Sequence, residues 1–320
     1  MWRWSSWKRF GITEGEIHPQ TAVSMTIVVS VKVTDGIVLA ADSTATFLDN
    51  SRQPPVKIRN NAHKIFNLVE VSPIGAMAYG TGGIGSASVA TLTEDLRQRL
   101  ASDPTYVLGG GAYTVEEVTK KARAFLFDDV YLKTYPTPIP TFMMGYRVCG
   151  YSADASLPEI WEFVIHGATC IGPYEIQSPA EFGIRWAGEN EALDRLLRGA
   201  TGGIKEMLVA RGYTENEVQD IYLEMIAKFR TGFELPAMPI QDAIDVSGFL
   251  VELSTKFAQF GPGPAMIKGF TEIAAITKNE GFQWVVRKHS YSDELNSCAS
   301  DDSGLYSDNL SRDLADRESP

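Results

Sequence analysis

The chain has 320 residues, 44% of them hydrophobic and 22% charged, with a formal net charge of −11. That is ample apolar material for a large core, and it carries no basic excess of the kind a nucleic-acid surface needs. No run of about 18 apolar residues stands in it, so no membrane span is expected, and Met1-Trp2-Arg3-Trp4 opens a stretch without the apolar region of a secretory signal.

Cys149, Cys170 and Cys298 show no CxxC spacing, which points to free thiols in a reducing cytoplasm. His18, His63, His166 and His289 lie far apart in the chain, so neither a metal site nor any other cofactor is expected.

Residues 1–24 show neither helical nor strand periodicity. From Thr26 the texture changes to a β-branched run, Thr26-Ile27-Val28-Val29-Ser30-Val31-Lys32-Val33-Thr34, then Asp35-Gly36, then Ile37-Val38-Leu39-Ala40-Ala41-Asp42. Two apolar runs joined by Asp-Gly predict a β-hairpin. A second hairpin is predicted from Lys64–Leu68 to Ile74–Tyr79, turning near Ser72-Pro73. After a glycine cluster, Val89, Leu92, Leu96 and Leu100 recur at helical spacing and predict a helix over 86–100.

Thr114-Val115-Glu116-Glu117 reads as a capping box opening a helix to about Phe127. Strands follow near 141–150 and 159–165. A helical half comes next, with helices predicted over 190–198, from the capping box Thr214-Glu215-Asn216-Glu217, and over 240–257. In the last, Val246, Phe249, Leu250, Leu253 and Phe257 fall on one side, and Gly261-Pro262-Gly263-Pro264 ends it. A final hairpin runs from Thr271–Ile276 to Phe282–Val286. Beyond Ser292, eight acids and two arginines carry −6 of the −11 charges, and this Ser/Asp-rich tail reads as disordered. Strands joined by short turns should pair antiparallel, and helices too few to separate every strand should lie outside packed sheets. The expected fold class is therefore α+β, a four-layer αββα sandwich of two antiparallel sheets flanked by helices.

Two motifs carry chemistry. Gly80-Thr81-Gly82-Gly83-Ile84-Gly85 matches the G-x-G-x-x-G dinucleotide pattern, but the confirming acid would be Asp103, in a helix-ending turn, so nucleotide binding is disfavoured. The second is the first hairpin. A threonine that begins a mature chain holds a hydroxyl nucleophile and an α-amine of pKa about 7.7–8.0 in one residue, and the amine can act as base. Such a hydroxyl needs a positive neighbour held by a negative one. Asp42, ending the second strand, and Lys64, starting the third, are the candidates.

The run from Thr26 through Asp35-Gly36 to Ala40-Ala41-Asp42-Ser43-Thr44-Ala45-Thr46 resembles the opening of proteasome β-subunits and their bacterial relatives, the N-terminal-nucleophile (Ntn) hydrolases. The resemblance is dense from Thr26 to about Leu100, returns in Gly269–Ile276, and covers residues 26–288 overall. It implies a threonine-type peptidase with Thr26 as nucleophile, Asp42 and Lys64 as its charged pair, and a backbone N–H of Gly82 or Gly80 in the oxyanion hole.

It also implies peptide or unfolded-protein substrates and a cytoplasmic homo-oligomeric ring or stack. The divisions expected are an extension at 1–25 that is absent or removed, an Ntn-hydrolase domain at 26–288, and an acidic tail at 289–320. The chain departs from the family in two places. Gly188 is followed by Glu189 where the family carries a serine, which makes Glu189 a speculative replacement. Residues 263–268 also lack the family's aspartate and serine. A catalytically inactive scaffold subunit and an amidase or acylase acting on small amides are the alternatives on the same fold.

Overall fold

A computed structural model describes residues 26–48, 56–59, 62–69, 72–108, 112–233, 236–261 and 269–288. The expected N-terminal extension, the acidic tail and the segment 262–268 lie outside the described residues.

β1 (Ile27–Val33) and β2 (Gly36–Ala41) form the predicted hairpin, paired Val28 to Ala41 at one end and Val33 to Gly36 at the other. β3 (Ala45–Leu48) and β4 (Val56–Arg59) make a small hairpin that the sequence reading did not separate. β5 (Ile65–Val69) and β6 (Ile74–Gly80) form the second large hairpin, turning at Ser72-Pro73 as expected. β7 (Gly83–Ile84) and β8 (Ala87–Ser88) then lead into α1 (Val89–Ser102).

α2 (Val115–Arg123) starts at Thr114, whose hydroxyl accepts from Glu117 N at 3.0 Å. It runs on through a π-helical segment, Ala124–Tyr131, into α3 (Leu132–Thr134). The remaining strands and helices are β9 (Met143–Gly150), β10 (Glu159–His166), β11 (Thr169–Gln177), β12 (Gly183–Gly188), α4 (Glu191–Leu193) continued by a π-helical turn to Arg198, α5 (Gly203–Ala210), α6 (Glu215–Phe229), α7 (Ile240–Phe260), β13 (Glu272–Thr277) and β14 (Gly281–Val286).

These strands build two five-stranded sheets, in the orders β12-β1-β2-β13-β14 and β11-β10-β9-β6-β5, with every pairing antiparallel. The fold is α+β. Side chains alternate across a strand, so β1 serves two interfaces at once. Val28, with Ile37 and Leu39 of β2, packs against Ile65 and Met77 of the other sheet. Ile27, Val29 and Val31 point the other way, onto Ala243, Leu250 and Val251 of α7. On the second sheet, Ala76, Tyr146, Val148 and Phe163 pack with Leu92 and Leu96 of α1 and with Val118 and Ala122 of α2. Each fully buried Leu or Val contributes about 1.5–3 kcal/mol, so these interfaces hold the two sheets and their helices in register.

One expectation is corrected, and two stretches carry elements that the sequence reading left unassigned. The stretch between 166 and 190 holds β11 and β12. β11 carries Gly172-Pro173, exposes several side chains along its length and lies at a sheet edge, so it lacks an apolar alternation. α5 was not foreseen. On α7 the buried positions are Ala243, Ser247, Leu250, Val251 and Ser254, whereas Phe249 and Phe257 are exposed. The side facing the sheet is the one with small residues, because a helix laid on fully buried strands needs close approach more than bulk.

Candidate active site

Thr26 stands immediately before β1, fully buried. Its carbonyl accepts Glu189 N at 2.7 Å, which pins it to the end of β12. That approach requires Gly188. Its φ is +105°, and a Cβ there would come within 1.8 Å of the Thr26 carbonyl oxygen.

Asp42 follows β2 and joins the parts of the site. Its Oδ1 accepts Ile27 N at 2.8 Å and Lys64 Nζ at 2.6 Å, while its Oδ2 accepts Thr44 N at 2.8 Å. The Thr26 hydroxyl donates to the Thr44 carbonyl at 3.3 Å. One carboxylate thus fixes the residue after the threonine, the carbonyl that receives its hydroxyl, and the lysine. The structure brings Thr26, Asp42 and Lys64 into one cluster, as their order on the hairpins predicts.

Lys64 is 4% exposed. Burial pulls its ammonium below the usual lysine range, because the charged form loses water. The Asp42 carboxylate opposes this most strongly, followed by Glu272. The charge of Lys64 is thus a balance between burial and these two acids.

Thr26, His63, Lys64, Tyr79, Gly80 and Gly82 line one cleft, completed by Ala62, Ala78, Thr81 and Val89. Gly80 ends β6 at φ +87°, where a Cβ would meet the Met143 carbonyl at 2.4 Å. Gly82 lies beyond the strand, and its carbonyl accepts Val89 N at 3.0 Å, at the start of α1. Both oxyanion candidates are thus in the cleft with the threonine. Glu189 is not among the residues lining it. Glu189 meets Thr26 through the backbone, and its half-buried carboxyl is raised above the usual range by burial.

The glycine cluster does not form a dinucleotide turn. It is divided between the end of β6, β7 and the following turn; α1 begins only after Ser88, and Asp103 caps that helix at its C-terminus. Among the described residues there is no group of three or more His, Cys, Asp or Glu that could hold a metal ion.

Two residues went unassigned in the sequence. Glu272, at the start of β13, is fully buried, and its Oε1 meets His63 Nδ1 at 2.8 Å. The available signal was an acid heading an otherwise apolar strand, Glu272-Ile273-Ala274-Ala275-Ile276, together with a histidine directly before the predicted lysine.

Compared with protein-family models and with curated proteins, the chain matches none. No described helix is long and apolar enough to cross a membrane.

Proposed function

We propose that the chain is a threonine-type hydrolase of the Ntn class, folded as the four-layer αββα sandwich of proteasome β-subunits and cleaving peptide bonds. The observation that carries this reading is the Thr26–Asp42–Lys64 cluster, whose threonine and lysine line one small cleft together with Gly80 and Gly82. In this reading Thr26 begins the mature chain. Its amine takes the hydroxyl proton as Oγ attacks the substrate carbonyl, and the nearby Lys64 ammonium favours the developing alkoxide. Asp42 keeps that ammonium charged and in place. A backbone N–H of Gly82 or Gly80 stabilises the oxyanion, a contribution of about 3–4 kcal/mol in sites of this kind. The amine, protonated in the first step, returns its proton to the leaving nitrogen as the C–N bond breaks. Water then attacks the ester, releasing the acid and restoring Thr26. Peptides or unfolded chains are the proposed substrates, and a cytoplasmic homo-oligomeric ring or stack the proposed assembly.

The full burial of Thr26, with its hydroxyl already donating to Thr44, favours a second reading: a chain that keeps the residue before Thr26 and serves as an inactive scaffold. In that state the amine is an amide and cannot act as base.

Treatment with a peptide epoxyketone, read by intact mass and peptide mapping, separates the two. The hydrolase predicts a single adduct on Thr26, abolished in Thr26→Ala while that variant stays folded. A protein that gains no adduct, or a Thr26→Ala variant that still gains it, overturns the assignment.

A further inference from the structure

The end of β2 and the start of β13 lie side by side, with Ala41 paired to Glu272. From this edge two carboxylates reach the segment before β5, where His63 and Lys64 are consecutive. Asp42 takes Lys64 at 2.6 Å, and Glu272 takes His63 at 2.8 Å. Glu272 is fully buried, and its second oxygen, Oε2, has no hydrogen-bond partner among the described residues. A buried carboxylate left half satisfied is expensive to keep, and it persists where a neighbouring cation offsets the cost. His63, by contrast, keeps 30% of its side chain exposed and lines the cleft that holds Thr26.

We propose that Glu272 is a positioning residue of the Thr26 site: its buried carboxylate orients His63 in the cleft wall and places a second acid beside the Asp42–Lys64 pair. The inference rests on the hydrolase reading of that site. Lys64 meets Asp42 from the end of β2, has beside it in the chain His63, which Glu272 of β13 holds, and shares the cleft with Thr26. Burial works against its charge, and each carboxylate works for it. With Asp42 alone, one anion would have to outweigh the burial of the lysine and also serve the N–H groups of Ile27 and Thr44. Glu272 makes a different contribution. Among the described residues its hydrogen bond goes to His63 and not to the lysine, so it acts on Lys64 through its field, and it fixes the ring that forms the adjoining wall.

The test is the pH dependence of epoxyketone labelling of the purified chain. Loss of the Lys64 charge sets the alkaline limb of that profile. Removing a nearby anion makes the lysine lose its proton sooner, so Glu272→Gln should move the limb to lower pH by about one unit. Glu272→Asp, which keeps the charge, should leave the limb within a few tenths of a unit of wild type. Glu272→Met, an apolar replacement of similar length, takes the place of the amide variant if that one does not fold, and should show the same shift. A merely structural role lowers the rate at every pH and leaves the limb in place, and that result in either folded, charge-free variant overturns the proposal. Wild-type protein that takes no label at Thr26 would instead overturn the hydrolase reading on which the proposal rests.

Discussion

Asp42 gathers three hydrogen bonds from Ile27, Thr44 and Lys64, and Gly188 allows the chain end of β12 to meet Thr26 from the other side. These contacts place a small hydroxyl residue within the proposed active site, where a reaction geometry would tolerate little error. A β-carbon at Gly188 would strike the Thr26 carbonyl, and its φ of +105° already disfavours any side chain. Gly188→Ala should therefore cost about 1–3 kcal/mol in urea denaturation. Because the displaced residue is the proposed nucleophile, epoxyketone labelling should also slow by about 100-fold. Unchanged labelling in a folded Gly188→Ala variant would show that the β12 contact does not position Thr26. At this scale much of the site was legible. Thr26, Asp42 and Lys64 stand at strand ends that antiparallel pairing brings together, whereas Glu272 and His63 were not, because nothing in a single strand reveals which face of a neighbouring sheet its acid will meet.

Elements were legible where both sides of the pattern were apolar or where a turn announced itself. β1 and β2 around Asp35-Gly36, and the Thr214 capping box with both reciprocal bonds formed, emerge as predicted. The edge strand β11 and the small-residue face of α7 did not, because each is defined by what packs against it. Ion pairs buried between strands were equally silent. Arg147 of β9 meets Glu162 of β10 at 2.8 Å and reaches Ser30 of β1, linking the two sheets.

Lys32 of β1 is fully buried, and its Nζ donates to the Ser178 carbonyl at 2.5 Å. Burial lowers its pKa from 10.5 to about 8, against the pull of Glu181, Glu175 and Glu159. The unfolded chain thus binds this proton more tightly than the folded one. The lysine's contribution to stability is fully present above pH 10.5 and is lost as pH falls through about 8. Cys149, raised by burial to about 12, and Tyr146, also raised by burial, pull stability the opposite way at high pH, so the comparison must be with a variant. Wild type minus Lys32→Met, measured by urea denaturation, should gain at most about 3 kcal/mol between pH 8 and 10.5. A flat difference would show that Lys32 keeps its ordinary charge.

For the molecule as a whole, the antiparallel sheets and the helices outside them follow from short turns between strands and from a β1 that is apolar on both faces. Less legible was where the first sheet would end, since its edge strand β12 pairs with β1 from a stretch with weak strand signals. That pairing also brings Gly188 and Glu189 to the threonine, so the edge of the fold and the candidate site are built together. The central claim is that Thr26 works as a chain terminus. Intact mass and N-terminal sequencing of the protein purified from its native host test this most directly. The account predicts a chain that begins at Thr26 with a free amine. A chain that still begins at Met1 or Met25 would contradict it and leave the scaffold reading in its place.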